Sequence, residues 1–281
     1  MNLLLEPLSY EFMRYALVAG VGVGLLCPIV GSYLVVQRIS LLADVVAHAV
    51  LPGLAIAHFF KFPLILGAAV FGLLSSFTTT WVASQSKLKV ETAMAITFAS
   101  FFSLGLTLLT VLRNRLDLNE LLFGDILSIT PGDVRQIILI AVAVLAAIRF
   151  FYKELLFFTF DPLGAEAIGL PVRWLNLGLM ASVTLTIVAG IKMVGVILVI
   201  ALMVGPAATA YLLTKELHWM MIVGSIVGIV SAITGLYVSY YYDIPSGPTI
   251  AMTIFGLFFL SLLFSPSQGI LTRHLRLKPK S

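Results

Sequence analysis

Apolar runs of about twenty residues recur along the chain, separated by short polar stretches. They fall at 12–36, 41–60, 62–83, 91–112, 133–152, 172–190, 193–213, 219–241 and 247–264. About twenty apolar residues in helical conformation cross the roughly 30 Å of a bilayer's hydrocarbon. Strands of a membrane barrel would instead alternate over segments of about ten residues. The pattern predicts an all-α polytopic membrane protein with nine transmembrane helices. The boundary at Gly190-Ile191-Lys192 carries little polar signal, so eight crossings is the alternative. The chain reads as one transmembrane domain over 1–281, with its spans inside about 12–264 and a basic tail over 265–281. The longest polar connections are 113–132 and 153–171.

Composition narrows the class. Hydrophobic residues make up 60% of the chain, charged residues only 11%, and mean hydropathy is +1.09. Soluble domains carry about 25% charged residues, so a cytosolic enzyme, a secreted module and a disordered regulator are excluded. The net charge of +4 is small and speaks for membrane topology rather than a nucleic-acid partner. With Cys27 alone, an internal disulfide and a cysteine metal cluster are both excluded. Met1 to Glu11 lacks a basic leader and carries Glu6 and Glu11, so no cleavable signal peptide is expected. No GxxxxGK[ST] phosphate loop occurs. Any ATP that drives this protein is hydrolysed on another chain.

Lys and Arg set the orientation. Placing Arg273, Arg276, Lys278 and Lys280 in the cytoplasm puts the N-terminus outside after nine crossings, with eleven basic residues on inner segments and six on outer ones. Arg113 and Arg115 fit least well, although Asp117, Glu120, Asp125 and Asp133 lie near them. Gly20, Gly22 and Gly24 in the first span, and the Gly224–Gly228 GxxxG in the eighth, read chiefly as close helix packing.

Charge inside a span is costly and asks for a reason. The second span reads Ser40-Leu-Leu-Ala-Asp44-Val-Val-Ala-His48-Ala-Val-Leu-Pro52-Gly53. Four residues apart, Asp44 and His48 share one helix face. With Arg38 at the inner interface and about 1.5 Å of rise per residue, His48 lies about 15 Å deep, near mid-bilayer. A carboxylate and an imidazole offer oxygen and nitrogen ligands suited to Mn²⁺, Zn²⁺ or Fe²⁺ rather than Cu(I). Pro52 has no N–H, which leaves the His48 carbonyl without its usual helical partner. Three readings of the pair stand open: a metal path, a structural hydrogen bond, and a proton relay. His58, His218 and His274 read as interface or loop residues.

Two further segments stand out. In Phe160-Asp161-Pro162-Leu163-Gly164-Ala165-Glu166-Ala167-Ile168-Gly169-Leu170-Pro171, Asp161 reads as an N-cap with Pro162 at the first helical position. Gly169 reads as the stop residue, followed by Pro171. The result is a short cytoplasmic helix, either a plain connector or a docking element for a partner. Tyr240-Tyr-Tyr242-Asp243-Ile244-Pro245-Ser246-Gly247-Pro248 reads as an outer turn beneath an aromatic belt, where Asp243 could draw cations to a mouth.

Together these residues resemble the membrane permease subunits of bacterial ABC importers for manganese, zinc and iron, the ABC-3 family. The resemblance rests on Gly31 to Asp44 with His48 to Gly53, on Phe160 to Val172, and on Lys192 to Val199 with Pro206 to Ala210, and covers about residues 10–265. It implies a type II ABC importer-like permease in the bacterial cytoplasmic (inner) membrane, acting as a homodimer. It also implies cytoplasmic ATPase subunits that bind ATP and an extracytoplasmic metal-binding protein. The cargo would be a divalent cation, manganese first and zinc next, with no permanently bound cofactor. Asp44 and His48 match the family's pathway residues. Asp161, Pro162, Gly164, Ala165, Glu166, Gly169, Leu170 and Pro171 match its coupling helix. The rival readings are a proton-coupled secondary transporter with Asp44 and His48 as a relay, an intramembrane metalloenzyme, and a structural membrane anchor. The metalloenzyme would want three ligands and an open site, where this motif supplies two.

Overall fold

The computed structural model describes residues 6–112, 124, 129–265 and 269, without the side chains of Lys192 and Met193. After a short 3-10 turn at Pro7–Ser9 come α1 (Glu11–Val36), α2 (Leu41–Ala49), α3 (Leu51–Phe59), α4 (Leu64–Gln85) and α5 (Val90–Val111). Then follow α6 (Pro131–Phe150), α7 (Tyr152–Phe160), α8 (Pro162–Ala167), α9 (Val172–Leu213), α10 (Leu217–Tyr242) and α11 (Ser246–Phe264). Among the described residues every regular element is helical.

Eight helical stretches are long and apolar enough to cross a membrane; the α6–α7 pair, bent by 71°, makes a ninth if taken as one span. The expected span at 133–152 is therefore realised as a bent pair of helices and not as one straight crossing. The expected polar connection at 153–171 is also corrected, because most of it is helical. Lys153 and Glu154 gave it a polar start, but Leu155 and Phe158 are buried and hold α7 on the bundle. α6 opens with a capping box: the Asp133 carboxylate accepts from Thr130 N (3.0 Å) and Oγ1 (2.7 Å), while the Asp133 N–H donates to Thr130 Oγ1 (3.3 Å). Asp133, one of the acids near Arg113 and Arg115 in the sequence, thus has a capping duty. Arg113, Arg115, Asp117, Glu120, Asp125 and the basic residues of the tail lie outside the described residues.

The weak boundary inside 172–213 falls where expected, dividing α9 into Val172–Ile191 and Val194–Leu213. Gly195, just beyond it, takes φ 74°, ψ 164°. That backbone region is essentially open to glycine alone. The chain doubles back there. Nine residues of straight helix span about 13 Å, yet a Cβ added at Gly190 would come within 2.5 Å of Val199 Cγ2.

The centre of the bundle is α1, the α2–α3 span and the first half of α9, whereas α4, α5 and α11 keep broad exposed faces. α1 packs against both α9 and α10. Pro28, inside α1, has no N–H to give the Gly24 carbonyl, and that carbonyl lies directly against Gly228 of α10. Pro28 itself rests on Gly224 and Gly228. The GxxxG therefore packs helices, and the proline supplies the shape that needs it. Ser225 Oγ adds a 3.1 Å hydrogen bond to the Leu25 carbonyl at the same crossing.

Candidate functional site

Asp44 and His48 lie on one face of α2, as their spacing requires. His48 Nδ1 is 3.0 Å from the Asp44 backbone carbonyl and 3.2 Å from Asp44 Oδ1. Both neighbours are acceptors, so Nδ1 carries the proton and donates to Asp44. Nε2 is then the basic nitrogen left to meet a cation, an arrangement in which the second ring nitrogen orients the first. The His48 side chain is 17% exposed and that of Asp44 is 44% exposed. The pair is held at its base and open on one side.

The span breaks just beyond the pair. α2 ends at Ala49, Val50 joins the two pieces, and α3 begins at Leu51. Pro52 causes the break, as expected. The Pro52 nitrogen has no hydrogen for the His48 carbonyl, and helical bonding resumes with the Leu54 N–H on the Val50 carbonyl (3.0 Å). Two glycine contacts fix the broken span from outside. Gly105 of α5 lies against Leu51 and Pro52, and Gly67 of α4 meets Gly53 of α3 backbone to backbone. Side chains at these positions would push the neighbouring helices away from the break.

Two phenylalanines of α5 complete the setting of His48. Phe98 and Phe102, one helical turn apart, stack nearly parallel (5.6 Å between centroids, 7°). His48 meets both edge-on, at 5.2 Å and 72° for Phe98 and 5.6 Å and 73° for Phe102. Phe98, Phe102 and Gly105 form one stripe of α5 at the i, i+4, i+7 spacing that lies along a single helix face. Reading the sequence did not single out these residues, because an FASFF run in a span looks like any lipid-facing stretch.

Among the described residues no group of three or more His, Cys, Asp or Glu side chains gathers to hold a metal ion. Among the described residues, Asp44 and His48 thus stand as a pair with no third ligand of those types beside them. The other histidines stand elsewhere. His58 lies exposed in the last turn of α3, His218 pairs with Glu216 (3.3 Å) at the start of α10, and His274 is outside the described residues.

The short helix at 161–171 forms as its punctuation predicts. Asp161 Oδ1 accepts from the Gly164 N–H at 2.8 Å, and Pro162 occupies the first turn of α8. At the other end, Gly169 N–H donates to the Glu166 carbonyl and Leu170 N–H to the Ala165 carbonyl, both at 3.0 Å. Gly169 takes φ 82°. This pair of bonds is a Schellman stop. Ala165 is buried beneath the turn and Pro171 leads directly into α9, while Leu163 (80%) and Ile168 (68%) are exposed. Two large apolar side chains, Leu163 on the six-residue helix and Ile168 at its C-cap, are thus exposed at this end of the chain's fold.

Asp243 stands apart. It takes the left-handed conformation (φ 52°) that ends α10, beside a 2.6 Å bond from Ser239 Oγ to the Ile244 carbonyl. α10 packs chiefly on α1, α9 and α11. The structure does not bring Asp243 to the Asp44–His48 pair; its evident duty is to stop a helix. Tyr240 lies against Tyr10 (6.0 Å between centroids) in the expected aromatic zone.

Known proteins are similar to this chain over nearly its whole length. The profile of the ABC 3 transport family matches residues 9–265. The chain is 41% identical over 270 residues to the manganese transport system membrane protein MntC of Listeria monocytogenes, covering 96% of each chain. It is 37% identical over 274 residues to a probable iron transport system membrane protein of Haemophilus influenzae, covering 98% of this chain and 97% of that one. Its fold superposes on the structure described as PsaBC from Streptococcus pneumoniae in complex with Fab, with a TM-score of 0.88, 34% identity and 99% of each chain covered. The family match runs from α1 to α11. The chain belongs to the ABC 3 transport family, as a multi-pass membrane permease of an ABC transport system.

Proposed function

We propose that this permease carries a divalent transition-metal cation, manganese first and zinc next, into the bacterial cytoplasm at the expense of ATP hydrolysed by partner subunits. The observation that carries this reading is the tethered His48. Its Nδ1 is bound to Asp44, its Nε2 is left free, and a carboxylate stands beside it in an apolar span. Such an arrangement offers one nitrogen and one or two oxygen ligands, a set borderline cations accept. The names of the relatives, which transport manganese or iron, support the same class of cargo.

A two-ligand site suits conduction. An ion held by a full protein shell would be slow to leave, and passage needs binding strong enough for entry and weak enough for exit. In this reading a second copy of the chain contributes its own Asp44 and His48, and the two half-sites face each other across a central path. The cation arrives from an extracytoplasmic binding protein at the outer mouth, where Asp243 adds negative charge. The N-terminus lies outside and the C-terminal tail in the cytoplasm. Cytoplasmic ATPase subunits grip α8 through Leu163 and Ile168, and nucleotide binding moves that helix to switch access to the pair. The permease breaks no bond itself.

The test is metal content. Cells that express the chain with its ATPase and binding protein should accumulate manganese, measured by elemental analysis, and Asp44→Asn should remove the accumulation. Equal accumulation by the wild type and the variant would overturn the reading.

A further inference from the structure

The end of α1, which leads into α2, and the last turn of α7, which leads into α8, are joined by one side-chain hydrogen bond. Gln37 Nε2 donates to Thr159 Oγ1 at 3.2 Å, across 122 residues of sequence. Neither end is loosely attached. Thr159 is buried in the last turn of α7, two residues before Asp161, which is at once the end of α7 and the N-cap of α8. Movement of α8 is therefore passed to Thr159 without intervening slack.

The Gln37 end is as tightly built. Arg38 N–H donates to the Val35 carbonyl (3.1 Å) and Ile39 N–H to the Leu34 carbonyl (2.9 Å). Together they close α1 in a Schellman stop whose left-handed position is filled by Arg38 at φ 60°, not by glycine. A non-glycine residue there is held under strain by its surroundings. Leu42 N–H then donates to the Ile39 carbonyl (2.9 Å) and Ala43 N–H to the Ser40 carbonyl (3.2 Å), so α2 starts at once. From Gln37 to Asp44 no residue lies in a loose loop. The chain of rigid parts runs α8, Asp161, Thr159, Gln37, the Arg38 turn, α2, Asp44.

We infer that the Gln37–Thr159 hydrogen bond is the latch that transmits displacement of the 161–171 docking helix to the span carrying Asp44 and His48. The inference rests on the proposed function for what moves α8. Gln37 and Thr159 are positioning residues that touch no cargo. Gln37 is half-buried and Thr159 buried, so the bond joins two packed segments at one end of the bundle. A tie made in one arrangement of these segments and lost in another is what a two-position coupling element requires.

Hydrogen exchange on the purified complex of permease and ATPase, with and without ATP and with hydrolysis blocked, tests this without any metal. In the wild type, ATP should change exchange at least twofold both at 161–171 and at 38–49. In Gln37→Leu and in the near-isosteric Thr159→Val, the change at 161–171 should persist and the change at 38–49 should vanish. Thr159→Ser, which keeps the hydroxyl, should restore it. A response at 38–49 in both latch variants would overturn the inference, as would its absence in the wild type. Failure of the transport reading would show separately, as wild-type cells that gain no manganese. Failure of the docking reading would show as silence at 161–171 in the wild type, and that outcome also overturns the latch.

Discussion

Phe98 meets His48 edge-on, with ring centroids 5.2 Å apart at 72°, and Phe102 repeats the contact one turn along α5. The imidazole is thus fixed by two different means. Asp44 holds its Nδ1 edge, and the phenylalanine stack limits rotation of the ring. A ligand in a conduction path benefits from such support because misplacement by even an ångström weakens a site.

Truncating that support should change affinity more than turnover. Phe102→Ala is expected to raise the manganese concentration for half-maximal uptake about three- to tenfold, about 1 kcal/mol in the range of aromatic pair energies. Maximal uptake should change less, and Phe102→Tyr, which keeps the ring, should be nearly wild type. Uptake kinetics in cells with matched permease levels measure this. A fall in maximal uptake at unchanged half-saturation would contradict the positioning role.

The apolar tip of α8 is expected to carry the ATPase contact. Leu163→Asp and Ile168→Asp should each reduce co-purification of the ATPase at least fivefold while leaving the permease folded. These side chains face outward, so their replacement costs the isolated chain little. Gly169→Val should weaken the same association by another route, since φ 82° strains a β-branched residue although open space surrounds the position. Undiminished co-purification in all three would count against docking at this helix.

Helix packing predicts a sharp contrast between two glycines. A side chain at Gly228 would strike the Gly24 carbonyl and Pro28, whereas a Cβ at Gly256 of α11 meets nothing within 4 Å. Gly228→Val should lower the thermal unfolding temperature in detergent by several degrees or prevent accumulation, at a cost of roughly 1–3 kcal/mol for overpacking. Gly256→Ala should be neutral or slightly stabilising. Equal behaviour of the two variants would contradict the close crossing of α1 and α10.

Asp243 offers a choice between two duties. Asn tolerates the left-handed conformation about as well as Asp, so Asp243→Asn removes the charge and keeps the helix stop. Manganese uptake by this variant at low external metal should fall about twofold if the charge attracts cations at the mouth. Unchanged uptake at every concentration would leave the residue with its capping duty alone.

Much of this fold was legible in the sequence because a bilayer imposes one dominant rule. Runs of twenty apolar residues have to be helices, and the boundaries of α1, α4, α5, α10 and α11 follow from them. The capped helix α8 was legible for a local reason: Asp161, Pro162 and Gly169 state its start and stop in side-chain chemistry. The Asp44–His48 face followed from helical spacing. Other features depend on contacts between distant segments. Phe98 and Phe102 matter only because α5 crosses α2, and the Gln37–Thr159 tie joins residues 122 positions apart. The bend between α6 and α7 was missed because Lys153 and Glu154 suggested a loop, and tertiary burial of Leu155 and Phe158 overruled them. The division of α9 near Gly190-Ile191-Lys192 was legible as a faint boundary, but the glycine conformation that turns the chain, at Gly195, was not.

Manganese accumulation by cells expressing the permease with its ATPase and binding protein, compared between the wild type and Asp44→Asn, tests the central claim most directly. The tethered pair predicts that the variant assembles with the ATPase as the wild type does yet accumulates at least tenfold less metal. Full accumulation by a correctly assembled Asp44→Asn permease would contradict the claim that cations pass this pair.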